Sequence, residues 1–255
     1  MYTFDSRIRY TETDLEQYLT IESLIDYFQD CSTFQTQAGP ATMEYMEERG
    51  LAWVINSWQV IINRLPKLGE KVTIGTVPYE LKGFIGKRNF FMDTDDGERV
   101  AIANSIWSLI NLKEGSPSRI DDAVVTTYPL DEKLPMVYEP RKIGNPDTSK
   151  CYEADMKKVG IHHLDSNHHV NNGQYIRIAL GAFDSVAKRE NLEELHELSC
   201  SRSKIQIRAE YRQQAHLGDD ISPVVYAKDD VYTAFLNDTE GKPYSIVEIK
   251  RIEKC

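Results

Sequence analysis

Apolar side chains recur at helical spacing in two separate stretches of the chain. The first stretch comprises Ile21, Leu24, Ile25, Phe28, Cys31 and Phe34. The second stretch comprises Tyr175, Ile176, Ala179, Leu180 and Phe183. Spacings of three and four residues place each set on one face, so the sequence predicts helices from about Thr20 and from about Gly173. A helix with a broad apolar face needs a partner, and we expect a sheet to cover each one.

Segments rich in β-branched and aromatic residues follow each of these helices and predict strands. After the first helix they span residues 51–63, 71–81, 85–94 and 99–111. After the second helix they span residues 205–211, 221–228, 231–238 and 244–252. A short alternating segment, Arg7 to Tyr10, predicts a strand before the first helix. Apolar and polar residues also alternate from Ile205 to Tyr211, which predicts a half-buried strand.

Short landmarks recur in the two halves at a nearly constant offset. Asp14 precedes the first helix and Asp165 precedes the second, a separation of 165 − 14 = 151 residues. Leu68-Gly69-Glu70 opens a strand in the first half, and Leu217-Gly218-Asp219 does so in the second, 217 − 68 = 149 residues later. The shared order predicts that one unit, a helix wrapped by a curved antiparallel sheet, is present twice. The alternative is that matches this short agree by chance.

The region between the halves differs in amino-acid composition from both of them. Five of the ten prolines lie between Lys113 and Lys150, where a long regular strand is disfavoured because proline cannot donate to a sheet ladder. We therefore predict a first domain at residues 1–112, a proline-rich surface linker at 113–150 and a second domain at 151–255.

Composition and charge exclude several classes of protein. Acidic residues outnumber basic ones, 40 to 30, and the net charge of −10 argues against a general nucleic-acid binder. No run of about 18 apolar residues predicts a transmembrane helix. The polar N-terminal sequence predicts neither a signal peptide nor a transit peptide, so a cytoplasmic location is expected. The four cysteines lie far apart without a C-x-x-C pair, which argues against a zinc site or a disulfide framework.

The densest group of candidate chemistry lies just before the second helix. Asp165, Asn167 and His169 occupy alternate positions there, and Asn171-Asn172 follows at once. An imidazole can accept a proton near neutral pH, and an aspartate can orient that imidazole and stabilise its charged form. An asparagine amide and the free N–H groups of a helix start can donate to a developing oxyanion. These groups together indicate hydrolytic chemistry.

Two other interpretations of this segment stay open. Asparagine favours helix starts for local hydrogen-bonding reasons, so Asn171 or Asn172 can be an ordinary cap. Four of the six histidines fall between His162 and His169, which raises the question of a zinc site. Their spacing does not resemble a usual ligand pattern and no cysteine lies close, so we expect no metal.

Two motifs resemble those of a known family. The segment D-S-N-H-H-V-N-N-G-Q-Y, residues 165–175, resembles the D-x-N-x-H-V-N-N-x-x-Y signature of acyl-ACP thioesterases, which are known from plastids and bacteria. The segment A-E-Y-R-Q-Q-A-H-L-G-D, residues 209–219, resembles their E-Y-R-x-E-C segment. The resemblance implies an α+β fold, a tandem double hotdog, and hydrolysis of fatty acyl thioesters of acyl carrier protein in fatty acid biosynthesis. It implies no cofactor.

The resemblance carries site roles onto four positions. Asp165, Asn167 and His169 fall on loop residues implicated in catalysis, and Gln214 falls where plant members have glutamate. Ala215 stands where those members have cysteine. An amide cannot act as a general base, so the role of Gln214 differs from that of the glutamate.

The first half lacks the full polar set, since Tyr18 stands where His169 stands and Glu16 where Asn167 stands. We therefore expect one active site, in the second half, and an acyl-binding channel in the first half. An acyl-CoA thioesterase and a non-catalytic acyl-binding protein are the alternatives, and a homodimer is left open. Acyl carrier proteins are acidic, so a local basic patch must recognise them. Its candidates are Lys82, Lys87, Arg88, Arg141, Lys142, Arg177, Lys188 and Arg189.

Overall fold

The computed structural model describes residues 1–146, 150–165, 168–199 and 204–252. Contacts between residues divide the chain into two compact units. The first unit comprises Met1–Trp58 and Pro66–Glu139, and the second comprises Gln59–Leu65 and Pro140–Cys255. The predicted boundaries at residues 112 and 150 stay a prediction.

The first unit pairs a long helix with a sheet. Its strands are β1 (Tyr2–Arg7), β2 (Leu51–Ile62, to Trp58 in this unit), β3 (Lys71–Lys82), β4 (Ile85–Thr94), β5 (Arg99–Asn111) and the short β6 (Ser116–Pro117). Its helices are η1 (Tyr10–Glu12, a 3-10 turn), α1 (Ile21–Gln37), α2 (Met43–Glu48) and α3 (Asp122–Thr127). The main strands lie in the order β1-β3-β4-β5-β2, and α1 packs on β1 and β3.

The second unit repeats this plan. Its strands are β7 (Cys151–Glu153), β8 (Lys157–Lys158), β9 (Ile205–Tyr211), β10 (Asp220–Lys228), β11 (Val231–Asn237) and β12 (Pro243–Arg251). Its helices are η2 (Ile161–His163, a 3-10 turn), α4 (Asn172–Glu190) and α5 (Glu193–Ser199). The strands lie in the order β9-β12-β11-β10-β7, with α4 packed on β10, β11 and β12. The predicted repeat of a helix on an antiparallel sheet is therefore confirmed.

The helix starts lie close to where the sequence predicts them, because their caps are local. The Thr20 hydroxyl accepts a hydrogen bond from Ser23 N at 3.3 Å and caps α1. The prediction of a strand at Arg7–Tyr10 is wrong, since β1 ends at Arg7. The chain turns there because the Glu12 carboxylate accepts a hydrogen bond from Arg9 N at 2.9 Å. Among the described residues, no helix is both long and apolar enough to cross a membrane.

Strand β9 is buried on both faces, so the prediction of a half-buried strand is wrong. Residues that follow Glu139 cover its polar face: Ile143 N donates to Glu210 Oε2 at 2.8 Å, and Arg208 donates to Pro140 O at 2.6 Å. At the start of the strand, Gln206 Oε1 accepts from Gln59 Nε2 at 3.0 Å. Apolar and polar residues do alternate along β9, but the polar side chains form hydrogen bonds with distant segments of the chain instead of with water.

Part of the segment predicted as a surface linker contributes to the core of the first unit. Val124 and Tyr128, in and just after α3, are 0% and 2% exposed. They pack with Ala41, Met46 and Leu109. Asp121 caps α3 by accepting from Val124 N at 2.9 Å. This stretch therefore does more than connect the two halves.

An aromatic cluster forms the centre of the first unit. Phe28 on α1 lies with ring centroids 5.4 Å from Phe90 on β4 and 6.2 Å from Trp58 on β2. Trp58 and Phe90 are 4.9 Å apart, and all three side chains are at most 1% exposed. The contacts join the helix to two strands, so the cluster fixes how α1 sits on its sheet. A role of this unit as an acyl channel stays a prediction.

We expect Phe28→Ala to lower the free energy of unfolding by about 3–5 kcal/mol, because it removes a fully buried aromatic side chain and leaves a cavity. Phe34→Ala is the matched control on the same helix, since Phe34 is 43% exposed and its loss should cost far less. Urea unfolding of both variants measures the difference. Equal losses would show that the cluster around Phe28 does not organise the core.

Candidate active site

A compact loop carries the candidate residues of the second unit between η2 and α4. Leu164 forms an isolated bridge with Val170, and Asn171 N donates to His163 O at 2.9 Å. These bonds close the loop at its base. Asn167, one of the predicted site residues, lies outside the described residues, as does Ser166.

The described part of this loop is a turn closed by backbone hydrogen bonds. Asp165 N donates to His169 O at 2.9 Å, and His168 N donates to Asp165 O at 3.1 Å. His168 adopts the left-handed conformation with φ 61°, which non-glycine residues rarely adopt. The Asp165 carboxylate oxygen Oδ1 lies 3.4 Å from His169 N, so this side chain reaches the backbone of the turn.

The first unit contains the same turn. Asp14 N donates to Tyr18 O at 2.8 Å, and Gln17 N donates to Asp14 O at 3.1 Å. Gln17, at the position of His168, is left-handed with φ 66°, and Asp14 Oδ1 accepts from Tyr18 N at 2.9 Å. The repeat of individual hydrogen bonds at an offset of 151 residues confirms the duplication. It also shows that an aspartate at this position supports the turn where no imidazole is present.

Asn171 caps α4, as one interpretation of the sequence proposed. Its side-chain oxygen accepts from Gly173 N at 2.8 Å, and its backbone oxygen accepts from Gln174 N at 2.9 Å. The cap therefore uses two of the backbone N–H groups at the helix start. At the same helix start, the structure shows no acceptor for Asn172 N among the described residues.

A second segment, residues 211–216, is held against the loop by Ala215. Val170 N donates to Ala215 O at 3.0 Å, and Ala215 N donates to the Tyr175 hydroxyl oxygen at 2.8 Å. The Tyr211 hydroxyl donates to Asn172 O at 3.0 Å. Both polar groups of the buried Ala215 peptide are thus paired, and two tyrosines tie the segment to the start of α4.

The first unit makes the corresponding backbone bond without the tyrosine. Leu19 N donates to Pro66 O at 2.8 Å, and Pro66 stands at the position of Ala215, 215 − 66 = 149 residues earlier. Leu24, fully buried, stands at the position of Tyr175, 175 − 24 = 151 residues earlier. Proline has no N–H group to satisfy, so an apolar side chain fits opposite it. Ala215 has one, and the tyrosine hydroxyl accepts from it.

The structure brings a residue to His169 that the sequence analysis did not select. The imidazole rings of His169 and His216 lie edge to face, with centroids 4.8 Å apart and planes at 67°. A signal existed, because His216 lies inside the second family-like segment, two residues after Gln214. Gln214 itself is exposed, and its role stays a prediction.

The electrostatics of the loop favour a neutral His169. Burial lowers the pKa of the His169 imidazole, and His216 and His168 lower it further, while Asp165 raises it. Burial raises the pKa of Tyr175 to about 12, so its hydroxyl stays protonated. A neutral imidazole beside a carboxylate is the state in which histidine accepts a proton.

The described residues do not assemble a metal site. No group of three His, Cys, Asp or Glu side chains with suitable geometry occurs among them. His163 Nδ1 accepts a hydrogen bond from Gly160 N at 2.9 Å, which occupies the lone pair that a metal would need on that atom.

Two features of the first unit bear on substrate recognition. A cavity of about 520 Å³ has Tyr79, Lys87, Asn104 and Tyr138 among its lining residues. Its polar walls do not match a fatty acyl chain. The prediction that Arg88 belongs to the basic surface patch is wrong. Arg88 is only 9% exposed, and its guanidinium lies 4.8 Å from the Tyr128 ring centroid.

Sequence comparisons connect the chain with thioester hydrolases. A family model described as "Acyl-ACP thioesterase N-terminal domain" matches residues 1–128, half of the chain. A chloroplastic acyl-(acyl-carrier-protein) hydrolase of Cuphea viscosissima is 28% identical over 183 residues, covering 66% of this chain and 43% of that protein. A chloroplastic palmitoyl-acyl carrier protein thioesterase of Arabidopsis thaliana is 24% identical over 216 residues, covering 78% and 52%. The chain spans about half the length of these curated relatives.

Solved structures show the same fold over nearly the whole chain. An acyl-ACP thioesterase from Bacteroides thetaiotaomicron has a TM-score of 0.77 at 19% identity, covering 97% of this chain and 96% of its own. The 12:0-ACP thioesterase from Umbellularia californica has a TM-score of 0.76 at 17% identity, covering 99% and 97%. The predicted tandem double hotdog fold is confirmed.

We expect Tyr175→Phe to lower the free energy of unfolding by about 1–3 kcal/mol, because it leaves the buried Ala215 N–H group without an acceptor. Tyr226→Phe is a matched control in the same unit, since no hydrogen bond of its hydroxyl occurs among the described residues. Urea unfolding gives both values.

A double-mutant cycle with Ala215→Pro isolates the hydrogen bond. In the proline background the donor is gone, as it is at Pro66 of the first unit, so Tyr175→Phe should cost almost nothing. A cost that stays the same in both backgrounds would show that the hydroxyl stabilises the unit through some other contact.

Proposed function

Because this chain belongs to the acyl-ACP thioesterase family, we propose that it hydrolyses thioesters of fatty acids with acyl carrier protein, releasing free fatty acid and carrier protein. The observation that carries the proposal is His169, an imidazole with a lowered pKa on a hydrogen-bonded turn beside an aspartate and a helix start. The proposal includes a cytoplasmic location, a place in fatty acid biosynthesis and recognition of the carrier protein by the candidate basic patch without Arg88.

In the proposed reaction, His169 accepts a proton from water as the water oxygen attacks the thioester carbonyl carbon. The tetrahedral intermediate then collapses, the carbon–sulfur bond breaks, and the thiolate takes the proton back from the imidazolium. Asp165 stabilises the transient positive charge, since its carboxylate is close enough to raise the pKa of His169. The products are the carboxylic acid and the carrier thiol.

The oxyanion needs hydrogen-bond donors in a fixed position. The Asn171 cap engages Gly173 N and Gln174 N, so they are not open to the substrate. Asn172 N and the Asn167 side-chain amide are the donors we propose. The role of Asn167 comes from its place in the motif.

One observation favours a second candidate, a non-catalytic acyl-binding protein. Gln214 stands where the plant members have glutamate and is exposed, so any mechanism that needs a base at that position is lost. A thiol-release assay with acyl-ACP and acyl-CoA separates this candidate, an acyl-CoA thioesterase and the proposed activity.

We expect His169→Ala to reduce kcat for acyl-ACP by roughly 100-fold or more, because it removes the general base. The matched control is Tyr18→Ala, which changes the equivalent position of the first unit and should leave kcat near the wild-type value. Release of thiol from acyl-ACP, followed with a chromogenic reagent, measures both variants. Near-normal turnover in His169→Ala would remove this residue from the mechanism.

We expect Gln214→Glu to change the pH profile of kcat/KM, because the family alignment puts the new carboxylate near Asp165, and neighbouring carboxylates raise each other's pKa. The ascending limb should move to higher pH or split in two. Gln213→Glu, one position away, is the control. If both variants retain the wild-type profile, position 214 lies outside the active site and the alignment of the downstream segment is wrong.

A further inference from the structure

The two imidazoles at the candidate site differ in their surroundings. The His216 side chain is 58% exposed, and its Nδ1 lies 3.8 Å from the Asp219 carboxylate oxygen Oδ2. His169 lies deeper, and burial is the first cause of its lowered pKa. The two imidazoles therefore differ in their exposure to water and in the carboxylate that lies beside them. The ring contact of 4.8 Å means that a proton on one imidazole opposes a proton on the other.

The equivalent pair in the first unit consists of a cation and an aromatic ring. Lys67 stands at the position of His216, 216 − 67 = 149 residues earlier. Its ammonium lies 5.0 Å from the centroid of the Tyr18 ring, which replaces His169. This is a permanent cation beside a neutral ring, a favourable arrangement.

The carboxylate beside the cation is repeated as well. Lys67 N donates to Glu70 Oε2 at 2.9 Å, and His216 N donates to Asp219 Oδ2 at 2.8 Å. Tyr244 on β12 also donates to Asp219, at 3.3 Å. The second unit thus keeps the backbone hydrogen bond, the carboxylate and the ring contact of the first unit. A titratable imidazole replaces each of the other two side chains: His169 stands for Tyr18 and His216 for Lys67.

We propose that His216 is a positioning residue for the base: its ring, in edge-to-face contact with His169 and beside the Asp219 carboxylate, opposes protonation of His169 and so keeps it free as the base. The inference deepens the proposed function, and its catalytic consequence rests on that function. The interaction between the two imidazoles does not depend on the proposed function. His216 then occupies the place that Lys67 fills in the first unit.

Other ionisable groups around the pair do not replace His216 in this role. They are Asp165 and His168 on the loop, Tyr175 on α4, Asp219 and, on β12, Tyr244. Burial raises the pKa of both tyrosines to about 12, so they stay neutral in the pH range where histidines titrate. The two carboxylates favour a proton on a nearby imidazole, and His168 lowers the pKa of His169 less than His216 does.

The sign of the expected effect follows from the charge. A proton on His216 disfavours a second proton on His169, so it holds the pKa of His169 low. Because His216 lowers the pKa of His169, its removal by His216→Gln raises that pKa. A base with a raised pKa is lost to protonation sooner as the pH falls, so the ascending limb of kcat/KM moves to higher pH. His216→Lys has a positive charge at this position, so the ascending limb of its kcat/KM profile stays near the wild-type position.

The first test is an NMR titration of the His169 ring proton in the whole protein. We expect the midpoint to rise by roughly 0.5 to 1 pH unit in His216→Gln, a size typical of two charges about 5 Å apart near water. In His216→Lys we expect it to remain near the wild-type value. This test needs no turnover, so it holds even if the protein proves not to be a thioesterase.

The second test is the pH profile of acyl-ACP hydrolysis. In His216→Gln, kcat/KM on the acidic limb should fall roughly 3- to 10-fold, matching the shift in pKa, while the plateau at high pH is retained. Lys67→Gln is the matched control in the first unit and should leave the profile unchanged. His168→Gln separates the neighbouring imidazole, since it should shift the limb less than His216→Gln.

The outcomes are distinguishable. An unchanged His169 titration in His216→Gln overturns the proposal, whatever the activity. An equal shift in His216→Gln and His216→Lys overturns it as well, because the effect then comes from the ring and not from the charge. A shifted titration in a protein without hydrolytic activity supports the imidazole pair and rejects the proposed function.

Discussion

The backbone hydrogen bond from Val170 N to Ala215 O is the contact on which the candidate site depends. It joins two segments that lie 215 − 170 = 45 residues apart in sequence, at 3.0 Å. His169 precedes one partner, and Gln214 and His216 flank the other, so this bond decides which side chains meet. Because the backbone makes it, the flanking side chains are free to change without loss of the scaffold. Function then depends on what stands beside the bond.

The first unit is an internal comparison for this principle. The same bond joins Leu19 and Pro66 there, but the neighbouring side chains form a cation beside a phenol ring. The proline also explains why that unit has an apolar helix residue, Leu24, where Tyr175 stands in the second. A backbone without a donor needs no hydroxyl opposite it. The two units therefore differ in a coordinated way, and each combination satisfies its own buried polar groups.

The sequence predicts those features whose causes are local. Helix starts follow from caps such as Thr20, and strands follow from periodicity, so most elements lie within a few residues of their predicted bounds. The burial of β9 could not be predicted, because the residues that cover its polar face lie 67 and 68 positions away in sequence. His216 was missed for the same physical reason, since its contact with His169 exists only through the long-range bond between their neighbours. The chemical motif predicted where to look, and tertiary contacts decided what is there.

The duplication also separates scaffold from chemistry within the motif itself. Asp165 has a counterpart, Asp14, that closes the same turn in a unit without the imidazole, so an aspartate at this position is explained by backbone structure alone. The turn does not require His169, because Tyr18 occupies the same place with nearly the same hydrogen bonds. A residue that the turn does not require needs another explanation, and the proposed role of His169 as the base supplies one. The positions that changed between the units are therefore the ones where the reaction is to be sought.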